Sequence, residues 1–228
     1  VPLFNGFDHG VTPATSFDEL EFRSGSQDMV DRGFYVAGSF VQDSMMDLGD
    51  LNPHSRYVHL YLNGVYWGQY DAREPLVQHT LAHYLGGSAR DYVDVRGNDN
   101  VGDTFVLGSP TPPSVLPWER VLSLKNKYAA LRSYVDVHGL IDFMLVWYYG
   151  ACESEFRSSG PVEAGTGFKF WDADADGFLR TDALGLNRSD NPGPGGIFGA
   201  LVGEGNADFK MLLADRIYAA FFNDGALT

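Results

Sequence analysis

The chain has 228 residues, 44% of them hydrophobic and 14% aromatic, enough apolar surface to fill one substantial domain or two small lobes, which excludes disordered and collagen-like classes. The 30 acidic and 16 basic side chains give a formal charge of −14, so phosphate backbones and anionic lipid surfaces are repelled and nucleic-acid binding is not expected. A single cysteine, Cys152, excludes an intrachain disulfide and a thiolate metal cluster.

No window approaches the roughly 18 uninterrupted apolar residues of a membrane span. The opening Val1-Pro2-Leu3-Phe4-Asn5-Gly6 lacks the basic and apolar regions of a secretion signal and reads as the middle of an apolar strand or turn, so the chain is expected to continue a longer one. Phe17 to Arg23 alternates with period two and is a predicted strand. Ser39 to Leu48 places Val41, Met45 and Leu48 on one helical side and stops at Gly49, which predicts a short helix. Arg56 to Leu62 and Val65 to Tyr70 are β-branched and aromatic, and Asn63-Gly64 between them supplies the two positive-φ positions of a type I′ hairpin turn. Tyr61, Tyr66, Trp67 and Tyr70 show the alternation of a half-buried strand pair, so core packing is expected of them ahead of a ligand surface.

Glu74 to Tyr84 reads as a helix ended by Gly86-Gly87, and Asp91 to Arg96 as a strand. The Pro- and Gly-rich residues 97 to 117 read as a connection. Helical periodicity then dominates, over Trp118 to Ser133, Gly139 to Tyr149 and Ala207 to Phe222, with a short apolar strand at Gly167 to Asp172. The order predicts an α+β fold of two lobes, a sheet-rich 1–96 and a mainly helical 118–228, with a ligand cleft between them.

The densest candidate site is Asp172-Ala173-Asp174-Ala175-Asp176-Gly177. Three carboxylates this close repel one another unless a divalent cation, Mg²⁺ or Ca²⁺, sits among them. The pattern also opens an EF-hand-type calcium loop, but the twelfth position is Ala183, with Asp182 one residue early. His79 and His83 stand at i, i+4 as in zinc helices, with Thr80 where the base glutamate of H-E-x-x-H would be. No G-x-S-x-G elbow, dinucleotide fingerprint or P-loop is present. Cys152 reads as a buried structural thiol ahead of a nucleophile, and Asn187-Arg188-Ser189 matches the glycosylation pattern.

From Arg56 through the hairpin to Tyr70, followed by Glu74, the sequence resembles the CotH kinase family, named for a bacterial spore-coat protein. The resemblance continues through Asp136 to Leu145, Gly167-Phe168-Lys169-Phe170-Trp171-Asp172 and the end Phe221-Phe222-Asn223-Asp224-Gly225-Ala226-Leu227-Thr228, and so spans nearly the whole chain in order. It implies a single two-lobed atypical protein-kinase-like domain lacking its first strands. Such a domain would use ATP with Mg²⁺ to phosphorylate serine or threonine of a protein substrate, and a secreted, cell-surface or coat-associated location is favoured. Asp172 matches the family's metal-binding aspartate, with Asp174 and Asp176 beside it. Glu74 matches the first-lobe glutamate that pairs with a phosphate-contacting cation, for which Arg23 and Arg56 are the candidates here.

Three departures stand out. Where the family reads Gly-Asn-Thr-Asp-Trp and then an asparagine, this chain has Gly150-Ala151-Cys152-Glu153-Ser154, so the catalytic acid becomes Glu153 and the asparagine position falls near Ser158. The arginine after the first-lobe glutamate is Pro75, and a basic residue near the first helix is replaced around Ala37-Gly38. Two functions follow: a CotH-like phosphotransferase, active or degenerate, or an acidic extracellular or coat-associated binding module with Ca²⁺ at Asp172 to Asp176.

Overall fold

The computed structural model describes residues 3–7, 9–25, 35–75, 77–97, 104–107, 116–152, 156–172, 175–183 and 185–228. Among them, seven α-helices and two antiparallel sheets make an α+β fold.

The first sheet has the order β1-β3-β2, from β1 (Glu21–Arg23), β2 (Ser55–Leu62) and β3 (Val65–Arg73). Asn63 and Gly64 take φ of 50° and 80°, the turn their side chains favour. The ribbon is buried only at its base, at Ser55, Asp71, Ala72 and Arg73, where helix α1 (Ala37–Asp47) leans on it through Ser39, 3.1 Å from the Ser55 hydroxyl. Its tip projects past that support, so the expected burial of the aromatic residues fails there: Tyr61 is 60%, Tyr66 52% and Trp67 60% exposed. Tyr61 and Tyr66 pack on each other instead, their centroids 5.3 Å apart.

Helix α1 ends as its glycine predicts. Gly49, at φ 97°, sends its N–H to the Met46 carbonyl, and Asp50 sends its own to Met45. This pair of reversed bonds is the Schellman motif, and it turns Asp50 back under the helix.

The second sheet has the order β5-β4-β6-β7, from β4 (Tyr92–Gly97), β5 (Thr104–Leu107), β6 (Phe156–Pro161) and β7 (Lys169–Asp172). It crosses the division drawn from sequence, because β5 lies within 97–117 and β4 pairs with β6 from beyond it. The rest of that connection, 98–103 and 108–115, lies outside the described residues.

Helix α2 (Gln78–Leu85) covers one face, with Leu81 packed on Tyr92 and Trp171. It starts four residues later than the sequence predicts, because the Glu74 N–H bonds the His54 carbonyl and Pro75 has none to give. Helix α5 (Val137–Tyr149) covers the other face, every residue from Gly139 to Trp147 is buried, and Phe143 packs on Phe170.

The helix expected over 118–133 is broken into α3 (Leu116–Leu124) and α4 (Tyr128–Leu131). The break lets the Tyr128 N–H reach the Glu204 carboxylate and the Tyr128 ring meet Phe209, 5.8 Å away edge to face. Helices α6 (Ile197–Glu204) and α7 (Ala207–Phe221) close the fold, with Asn206 capping α7 through the Asp208 and Phe209 N–H groups.

The entry to β7 is sewn to the start of α5. Phe168 donates to the Tyr134 carbonyl at 2.8 Å, and Asp136 donates to the Phe168 carbonyl at 3.1 Å. Gly167 makes the approach possible: its φ is +76°, and a Cβ there would lie 2.5 Å from the Asp136 nitrogen. Gly167→Ala is therefore expected to cost about 2–4 kcal/mol, lowering the unfolding midpoint by about 5–15 °C. A midpoint within about 2 °C of the parent's, by calorimetry, would refute this account of the seam.

Candidate functional site

Alternation along β7 sends Phe170 and Asp172 toward α5 and Trp171 toward α2. Asp172 is buried, and its Oδ2 accepts from the Trp147 indole at 3.2 Å and from the Cys152 thiol at 3.5 Å. Cys152 reaches this point because the chain leaves α5 through Gly150, over which the Phe178 ring lies so closely that a Cβ would come within 2.1 Å of it. The segment where the resemblance puts the acid thus meets the carboxylate where it puts the metal. Phe156, the first residue of β6, is also the register partner of Asp172.

Glu153 and Asp174 lie outside the described residues, and Asp176 falls in the turn Ala175–Gly177 with its side chain outside the description. Ser158, at the family's asparagine position, is buried on β6 and gives its hydroxyl to the Lys169 carbonyl at 2.9 Å. A buried carboxylate at a strand end, its Oδ2 oriented by an indole and a thiol, offers the hard oxygen that Mg²⁺ takes, so the donor chemistry at Asp172 fits that ion.

Glu74 is buried, but neither predicted arginine bonds it. Its Oε2 accepts from the His54 backbone N–H at 2.8 Å and lies 2.9 Å from His54 Nδ1, while Oε1 accepts from the Tyr84 hydroxyl at 2.6 Å. His54 Nε2 faces the Val11 carbonyl at 2.7 Å, which can only accept, so Nε2 carries a proton. Burial and the Glu74 bond push the Tyr84 hydroxyl above its ordinary pKa. Arg56 turns away to the Leu3 carbonyl and the Phe7 ring, and Arg23 stands on β1 across from Asp71. The basic partner of Glu74 is therefore a histidine delivered by the start of β2. No local spacing marks it in the sequence.

A third cluster escaped the sequence reading. His138 and Asp142 share one face of α5 at i, i+4, and the turn after α1 brings Asp50 against them. His138 Nδ1 lies 3.7 Å from Asp50 Oδ1 and 3.4 Å from Asp142 Oδ2. Arg216 on α7 grips Asp142 with two bonds of 2.7 Å and gives one of 2.8 Å to the Leu48 carbonyl. Burial, helped by the facing Asp50, pushes Asp142 up to about 7 against the pull of Arg216. The Asp50 bond raises His138 above its usual value. Among the described residues this is the one group of three metal-capable ligands, so the His79–His83 pair gathers no third; His79 lies 3.6 Å from Asp18.

A scan against protein-family models finds none that matches the chain, and a search of curated proteins finds no match either. Among the described residues no helix is long and apolar enough to cross a membrane.

Asp94 on β4 anchors the sheet beneath α2, accepting from the Ser159 hydroxyl and the Gln78 N–H. Burial pushes its carboxyl up to about 6. A raised acid favours the folded state most below its unfolded value near 3.8, and that advantage is lost as pH rises through 6. Asp94→Asn removes the titration, so its stability relative to the parent is expected to improve by up to about 3 kcal/mol between pH 4 and pH 7. A pH-independent difference in denaturant unfolding would show that Asp94 does not titrate in this window.

Proposed function

We propose that the chain is a phosphotransferase domain of the CotH kinase type, moving the γ-phosphoryl group of ATP to serine or threonine of a protein. Asp172 is its metal-holding carboxylate and Glu153 its acid. The observation that supports this most is the contact between Cys152 and Asp172, which are 20 residues apart in sequence. It brings together the two segments on which such chemistry depends.

Phosphoryl transfer asks for positioning and charge neutralisation more than for covalent chemistry. Mg²⁺ bound with the nucleotide supplies that neutralisation, and Asp172, with Asp174 and Asp176 in the same stretch, supplies oxygen donors to hold it. Trp147 and Cys152 fix the angle of the Asp172 carboxylate. Glu153 orients the acceptor hydroxyl and takes its proton. The two-lobed arrangement belongs to the same proposal. In it, the three-stranded sheet and α1 form one lobe, and α1 leans on β7 and on the turn after it. The His54–Glu74 pair takes the place of the first lobe's arginine–glutamate pair. The acidic surface steers toward a basic protein segment, in keeping with a secreted, cell-surface or coat-associated setting.

Thermal unfolding in EDTA, Mg²⁺, Ca²⁺ and Mg²⁺ with ATP tests the reading. ATP at about 100 times its dissociation constant contributes roughly 2.7 kcal/mol, a shift of about 5–11 °C at this chain length. Asp172→Asn should remove that shift together with phosphoryl transfer. Glu153→Gln should keep the shift and lose at least about 100-fold in rate. No ATP effect on the parent, or one that Asp172→Asn leaves intact, would sink the proposal, and a shift with Ca²⁺ alone would favour the binding-module reading.

A further inference from the structure

We infer that Asp50, His138 and Asp142 form a binding site for a first-row divalent cation of the Zn²⁺ type, separate from Asp172, which clips the end of α1 to the first turns of α5.

One imidazole nitrogen and two carboxylate oxygens are offered by atoms that all lie within 4.8 Å of one another. Tetrahedral zinc with ligands at about 2.0–2.2 Å sets its ligand atoms about 3.3–3.6 Å apart. The separations from His138 Nδ1, 3.4 and 3.7 Å, are already close to that. A mixed nitrogen and oxygen set suits Zn²⁺ or Mn²⁺, whereas Ca²⁺ and Mg²⁺ prefer oxygen alone.

Two further observations point to a cation. Asp50 is 7% exposed, its carboxylate faces His138, and its Oδ2 has no hydrogen-bond partner. A buried carboxylate oxygen without a donor is costly, and a metal ion relieves that cost. Gly139 also leaves the room this carboxylate occupies: a Cβ there would lie 2.9 Å from Asp50 Oδ1. The surroundings are those of a supported site. Arg216 engages both oxygens of Asp142 and fixes its orientation, as groups behind metal ligands do. His138 is 43% exposed, so an ion can reach the cluster from solvent.

The test is calorimetric titration of the full chain at pH 7.5 with Zn²⁺, Mn²⁺, Mg²⁺ and Ca²⁺ in turn, paired with thermal unfolding. Zn²⁺ or Mn²⁺ should bind at one equivalent and raise the midpoint by about 5 °C or more at saturation. His138→Gln, at a half-exposed position that should fold normally, and Asp50→Asn, checked by circular dichroism, should each weaken binding at least about 100-fold. Asp172→Asn should leave it unchanged, which separates this site from the nucleotide proposal. Two results would overturn the inference. One is absence of Zn²⁺ and Mn²⁺ binding, meaning that a proton compensates Asp50. The other is full affinity in His138→Gln, meaning that the ion sits on an exposed pair such as His9 with Asp47, 3.1 Å apart.

Discussion

Asp142 is fully buried on the most buried of the described helices, and its charge constrains how everything around that helix closes. The compensating cation comes from 74 residues later, where Arg216 presents its Nε and Nη2 side-on to the two carboxylate oxygens. The same guanidinium reaches the Leu48 carbonyl at the end of α1. One side chain thus ties α1, α5 and α7 at a single point. Against an apolar replacement such a pair adds little stability, but losing one partner leaves a buried charge that costs about 3–5 kcal/mol. A slide of α7 along α5, or a rotation of α1 away from it, would break this bidentate geometry. The ion pair therefore selects one packing arrangement from several that the apolar surfaces alone would accept.

What the sequence made legible follows the range of each interaction. The hairpin is written in Asn63-Gly64, the end of α1 in Gly49, and α5 and α7 in their apolar spacing, because each depends on neighbours within a few residues. Strand β6 was missed because Phe-Arg-Ser-Ser-Gly-Pro has no alternation; it is a strand because β4 and β7 flank it. Helix α6 was hidden behind the prolines and glycines that precede it. The break between α3 and α4 answers to Glu204 and Phe209, far along the chain.

The candidate sites divide in the same way. Asp172 could be singled out from its own neighbourhood, a short apolar strand running into carboxylates. His54, the partner of Glu74, could not, since what makes it the partner is a ladder that sets the start of β2 beside the end of β3. His138 and Asp142 did carry a signal, an imidazole and a carboxylate one helical turn apart. Asp50, however, is joined to them only by the packing of α1 on α5.

That packing also relates the two candidate sites physically. His138 lies in the first turn of α5 and Trp147 near its last, nine positions on, which at 1.5 Å per residue is about 14 Å. Between them the helix is buried on all sides, so it moves as a rod or not at all. Helix α1 touches both ends of this arrangement, delivering Asp50 in the turn after its C-terminus and packing on β7. A displacement of α1 would therefore disturb the Asp50–His138 contact and the support of the strand that carries Asp172 together. Close-packed interiors transmit strain in this way because no void is available to absorb it. The cluster at the head of α5 thus holds the register that Trp147 and Cys152 need if they are to keep the Asp172 carboxylate in one orientation.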